Sequence, residues 1–101
     1  MENHSLIQKI LVDTQALMTL KVDNAHVVKD KFSAIRDRVE ELANSADGQP
    51  EAYQKASTLI QEAMNTSYQQ FCDATGYDSK EQALIELRHK AAEVCQLIQA
   101  D

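Results

Sequence analysis

Apolar residues recur along this chain at alternating intervals of three and four, the period of one face of an α-helix. The clearest run is VVKDKFSAIRDRVEELA, Val27 to Ala43, in which Val28, Phe32, Ile35, Val39 and Leu42 keep the alternation throughout. Leu84, Leu87, Ala91, Val94 and Ile98 repeat it near the C-terminus, where Ile85 and Leu97 widen the face. Between them Tyr53, Ala56, Ile60, Ala63, Ser67 and Phe71 make a third stripe, with Leu59, Met64 and Tyr68 alongside. Its small residues let a neighbouring helix come close.

Two interruptions separate these stripes. In Ala46-Asp47-Gly48-Gln49-Pro50, Gly48 suits the position after a helix end and Pro50 the first turn of a new helix. In Thr75-Gly76-Tyr77-Asp78, Gly76 can end one helix, and Asp78 with Glu81 forms a capping box for the next. Ser5 and Gln8 make a weaker box of the same kind. The pattern therefore predicts helices over about 5–46, 50–75 and 79–100, in a single domain covering residues 1–101.

The first segment admits two readings. Leu11, Met18, Ala25, Phe32, Val39 and Ala46 fall seven apart and are all apolar, and no glycine or proline lies between Ser5 and Ala46. A seam in phase for that long favours one helix of ~60 Å. Against it stands Val22-Asp23-Asn24, three weak helix formers, of which Asp23 or Asn24 could cap a new helix. The leading expectation is an all-α antiparallel bundle of three helices with a long first helix. A break near Asp23 gives the alternative, an up-down four-helix bundle.

The two readings make different demands. A helix over 50–75 reaches back along the first only to about Lys21, so a continuous first helix leaves residues 5–21 overhanging its own hairpin. That overhang is apolar on two adjacent lines, Ile7, Leu11, Met18 and Leu6, Ile10, Leu17, Leu20. A face this broad calls for burial, most simply against a second copy in a symmetric dimer. Leu6, Ile7, Ile10, Leu11, Leu17, Met18 and Leu20 are therefore the candidate self-association residues. The broken reading folds the same strip into the chain's own core.

Composition agrees with an all-helical chain: two Gly, one Pro and no Trp in 101 residues. The net charge of −6 opposes general binding to phosphate backbones. Cys72 and Cys95 have no zinc spacing and lie too far apart in a hairpin to bridge, which points to reduced thiols. The N-terminal stretch lacks the basic and cleavage-site features of a signal peptide, and no apolar run is long enough to span a bilayer. The expected compartment is the cytoplasm.

Few residues carry chemistry. Lys29, Lys31, Arg36 and Arg38 flank the Val28–Leu42 stripe, where they form a candidate partner-docking rim for an acidic helix. The bland alternative is that their stems cover core edges while nearby Asp30, Asp37, Glu40 and Glu41 cancel the field. Glu86-Leu87-Arg88-His89 has the E-x-x-H form used in di-iron bundles, and Asp23-Asn24-Ala25-His26 a D-x-x-H form. Helical phase sends His89 and Asp23 to the solvent side, so no metal and no cofactor are expected. Nothing resembles a nucleophile motif or a phosphate-cradling loop, so no enzymatic activity is expected. Tyr77, in the second turn, is expected to lay its ring over the end of the hairpin.

The sequence thus points to a non-enzymatic helical protein-interaction module, such as an adaptor, chaperone, inhibitor or assembly factor, acting as a homodimer. The alternative is a nucleic-acid-associated regulator using the Lys29–Arg38 rim. A membrane-surface role for residues 5–21 is disfavoured, because their polar face mixes Lys9 and Lys21 with Asp13.

Overall fold

The chain's longest stretch without glycine or proline does not form one helix. In a computed structural model, which describes residues 2–45 and 51–99, α1 (Glu2–Thr19) stops at Leu20, and α2 (Ala25–Ser45) starts five residues later. Several local bonds make the break. Thr19 returns its hydroxyl to the Ala16 carbonyl at 2.9 Å, and the Leu20 N–H tightens onto Leu17. Lys21 is fully extended, with φ −122° and ψ 173°. Val22–Asn24 then close a 3₁₀ turn through Asn24 N–H to Lys21 O at 2.8 Å. Weak helix propensity at these three residues lets tertiary packing decide, and the buried side chain of Val22 anchors the turn. Asp23 and Asn24 lie exposed inside the 3₁₀ turn, which runs directly into α2.

The leading expectation of a continuous first helix is thus corrected to the broken alternative. The seven-residue seam bridges the break only by coincidence. On α1 the core line is Ile10 and Leu17, both with no exposed surface, one residue ahead of Leu11 and Met18. On α2 the line is Val28, Phe32, Ile35, Val39 and Leu42, all fully buried. The break therefore resets helical phase by one residue.

The first turn of the sequence reading, Ala46–Pro50, lies outside the described residues. Beyond it the middle segment is also interrupted, into α3 (Glu51–Asn65) and the short α4 (Ser67–Asp73). Thr66 causes this: its hydroxyl bonds back to the Glu62 carbonyl at 2.9 Å and its backbone leaves the helical region, at φ −119° and ψ −82°. Back-bonding of this kind bends helices. The stripe Tyr53, Ala56, Ile60, Ala63, Ser67 and Phe71 stays buried through the kink.

The last helix, α5 (Tyr77–Gln99), begins two residues before the expected position. Gly76, not Asp78, occupies the cap, since its carbonyl accepts the Lys80 N–H at 3.0 Å. Asp78 instead sits in the first turn, where a carboxylate favours the helix dipole. Ser5 likewise falls inside α1 rather than at its cap. Lys80 reaches back to the Phe71 carbonyl at 3.0 Å, with its ammonium 5.1 Å from the Phe71 ring centre, and so caps α4 at its C-terminal end.

The described residues form an all-α, up-down bundle of four legs, 44 × 21 × 18 Å. α1 packs against α2 and α5, and the α3–α4 leg packs against α2 and α5 on the opposite side. One core runs through all four legs, with Phe32 and Tyr68 stacked at 6.0 Å near its middle.

Candidate interaction surfaces

Asp13 is the least expected residue of the interior. It belongs to the same face of α1 as Ile10 and Leu17, and only a tenth of its side chain is exposed. Arg38 of α2 donates to one carboxylate oxygen, and Lys31 lies 3.6 Å from the other. A charge at that depth is sustained by such partners. Two of the four proposed rim residues are therefore committed to holding α1 against α2. Arg36 pairs with Asp37 at 2.8 Å and lies 3.9 Å from Glu40. Lys29 alone of the four has no ion-pair partner among the described residues. The spacing of Asp13 from Ile10 and Leu17, three and four residues, was the available signal that it faces inward.

The contact of α1 with α5 is polar at two levels. The Cys95 thiol donates to the Thr14 hydroxyl at 3.2 Å, and burial pushes that thiol up from its ordinary range, the Thr14 hydrogen bond offsetting part of the rise. Further along, the Arg88 guanidinium donates through Nη2 to the Leu20 carbonyl, placing a cation at the C-terminal end of α1. Arg88 Nε is buried without a hydrogen-bond partner. Cys72, half-buried, and Cys95 are both free thiols.

The seven candidate self-association residues separate into three groups. Ile10 and Leu17 are sealed in the chain's own core and are not available to a second chain. Leu6, Ile7, Leu11 and Leu20 pack against that core with part of their surface open. Met18 is 38 % exposed. Helical spacing puts Ile7, Leu11 and Met18 on the α5 side of α1, one step outward from Thr14. The matching flank of α5, outward from Cys95, carries Ile85, which is 47 % exposed, with Arg88, Ala92, Gln96 and Gln99. With Gln8 and Gln15 on α1, this flank is largely uncharged; its charged side chains, Glu81 and Arg88, stand near Lys21 at one end, and Arg88 is turned inward to Leu20.

The opposite side of α5 is different. A groove of about 520 Å³ runs between α3 and α5, floored by half-buried Leu59 and Leu97 and edged by Glu51, Lys55, Glu62 and Glu93. Lys55 lies 3.7 Å from Glu51, one turn before it. A second groove of similar size lies further along, between α4 and α5, lined by Asp73, Gln82 and Glu86 among others.

The remaining candidates are placed as follows. His89 is exposed and 3.1 Å from Glu93, and His26 is exposed and 3.6 Å from Asp30, each an ion pair when the imidazole is protonated. Among the described residues no group of three His, Cys, Asp or Glu side chains stands where it could hold a metal ion. Tyr77 is the first residue of α5 rather than a loop residue, and over half of it is exposed beside Lys21, Val22 and Arg88. No described helix is long and apolar enough to cross a membrane. No family model, no curated protein and no solved structure matches this chain.

Proposed function

We propose that this chain is a non-enzymatic helical interaction module that pairs with a second copy through the outer flank of α1 and α5. The supporting observation is the flank defined by Ile7, Leu11, Met18, Ile85 and Ala92, largely apolar in a chain of net charge −6, with Glu81 and Arg88 confined to its Lys21 end. Two acidic copies repel over most of their surfaces, and a face with few carboxylates is where they meet at least cost. A two-fold axis would lay Met18 and Ile85 of each copy against those of the other, the self-complementary arrangement of a symmetric dimer.

Two legs side by side over about 27 Å offer roughly 550 Å² per copy. Stable interfaces bury about 800 Å² per partner, so the dimer is weak and concentration-dependent. The unpaired thiols suit a reducing compartment such as the cytoplasm. With Lys31 and Arg38 engaged by Asp13 and Arg36 by Asp37, the rim has little charge to spare for nucleic acid.

Light scattering across a wide concentration range tests this reading. The expected result is a mass rising from monomer to dimer, and a monomer at every concentration for Met18→Asp with Ile85→Asp. Both side chains are substantially exposed, so the variant keeps its fold, which circular dichroism checks. A wild-type chain that stays monomeric up to millimolar concentration removes the proposal.

A further inference from the structure

The grooves on the far side of α5 have a different chemical character. Glu51, Glu62 and Glu93 edge the apolar floor of Leu59 and Leu97, and Asp73 and Glu86 carry the same charge along the second groove. The opposing cations are Lys55, drawn to Glu51, and Lys90, one turn of α5 from both Glu86 and Glu93. Five carboxylates against two ammonium groups leave the channel acidic over its length. From Gln82 to Leu97 on α5 that length is about 22 Å, the span of roughly 15 helical residues.

An acidic channel with an aliphatic floor repels a second copy of this acidic chain. It complements an amphipathic segment that carries lysine or arginine on both sides of an apolar ridge. We infer that the α3/α4–α5 channel docks a basic amphipathic helix of a partner protein, its apolar side chains seated on Leu59 and Leu97 and its cations facing Glu62, Glu86 and Glu93. This rests on the reading of the chain as an interaction module, but not on its self-association, which uses the opposite flank of α5. His89 stands at the channel edge, 3.1 Å from Glu93.

The test uses the full chain and a synthetic helix of about 15 residues, with leucine at helical spacing and lysine at the remaining positions. A peptide of the same composition, scrambled to remove the stripe, is the control. Calorimetry should show the patterned peptide binding more tightly than the scrambled one, with affinity falling as salt rises. NMR should show shifts at the Leu59 and Leu97 methyl groups. Replacing Glu62, Glu86 and Glu93 together by Gln should weaken binding at least about tenfold. The Met18→Asp, Ile85→Asp variant should bind unchanged, which separates this site from the dimer flank. Equal binding of the two peptides, shifts elsewhere, or indifference to the Gln substitutions overturns the proposal while leaving the dimer reading intact. If the Gln variant instead self-associates differently from wild type, the channel belongs to a second copy and the inference falls.

Discussion

Arg38 of α2 holds the carboxylate of Asp13 across the first helical hairpin, twenty-five residues away in sequence. The acid is nearly buried, whereas Arg38 and Lys31 are a third or more exposed. Loss of the acid leaves both cations free to turn toward water. Asp13→Ala should therefore cost about 2 kcal/mol, between an exposed pair and a fully buried one. Asp13→Leu combined with Arg38→Met should recover most of that loss by replacing the charges with packing. Urea unfolding of the single and double variants measures the coupling. Additive effects would show that the pair contributes nothing of its own.

Leu17 and Met18 are adjacent in sequence but differ in role. Leu17 has no exposed surface, and its replacement by Ala should destabilise the fold by about 2–5 kcal/mol. Met18→Ala should change monomer stability by less than about 1 kcal/mol. It should shift only the concentration at which copies associate. Thermal melts at low and high protein concentration distinguish the two effects.

Gly76 caps α5 without using glycine's freedom. Its backbone is outside the left-handed region, and a Cβ there would meet nothing within 4 Å. Gly76→Asp supplies a side-chain acceptor to the first turn and restricts the unfolded chain. It should raise stability by about 0.5–1 kcal/mol. A lower melting temperature would show that the cap assignment is wrong.

The Cys95 thiol is harder to ionise in the folded chain than in the unfolded one, because burial outweighs its bond to Thr14. Its contribution is whole below the ordinary thiol value of about 8.5 and is lost as pH rises through the folded value. Stability should therefore fall from about pH 8.5 upward, and Cys95→Ala should flatten that fall. Comparing denaturation midpoints of the two proteins at neutral and alkaline pH isolates this group, because the substitution removes no other ionisable side chain. Parallel curves would contradict the assignment.

Much of the core was legible because its stripes lie inside single helices. Val28 to Leu42 and Leu84 to Ile98 follow the helical period, and every member is buried. Legibility failed at the interruptions. The seam from Leu11 to Phe32 ran through a helix break that is created by bonds among Thr19, Leu20, Lys21 and Asn24, which periodicity does not register. The kink at Thr66 depends on one hydroxyl choosing a carbonyl. The four rim cations were visible as a group, but their commitments were not, because Asp13 was read as part of a polar face. The acidic channel was not legible at all, since it is assembled from α3, α4 and α5.

The ring of helices closes only where α1 meets α5. Each of the other major packings joins legs that follow one another along the chain, whereas Thr14 and Cys95 are eighty-one residues apart. Joining such distant segments carries the largest loop-closure entropy in the fold, so the α1–α5 seam is the natural last step of folding. Thr14→Val or Cys95→Ala should then leave the refolding rate nearly unchanged and speed unfolding, visible as a shift of one chevron arm. The seam that closes the barrel of helices is thus also the place where it first opens.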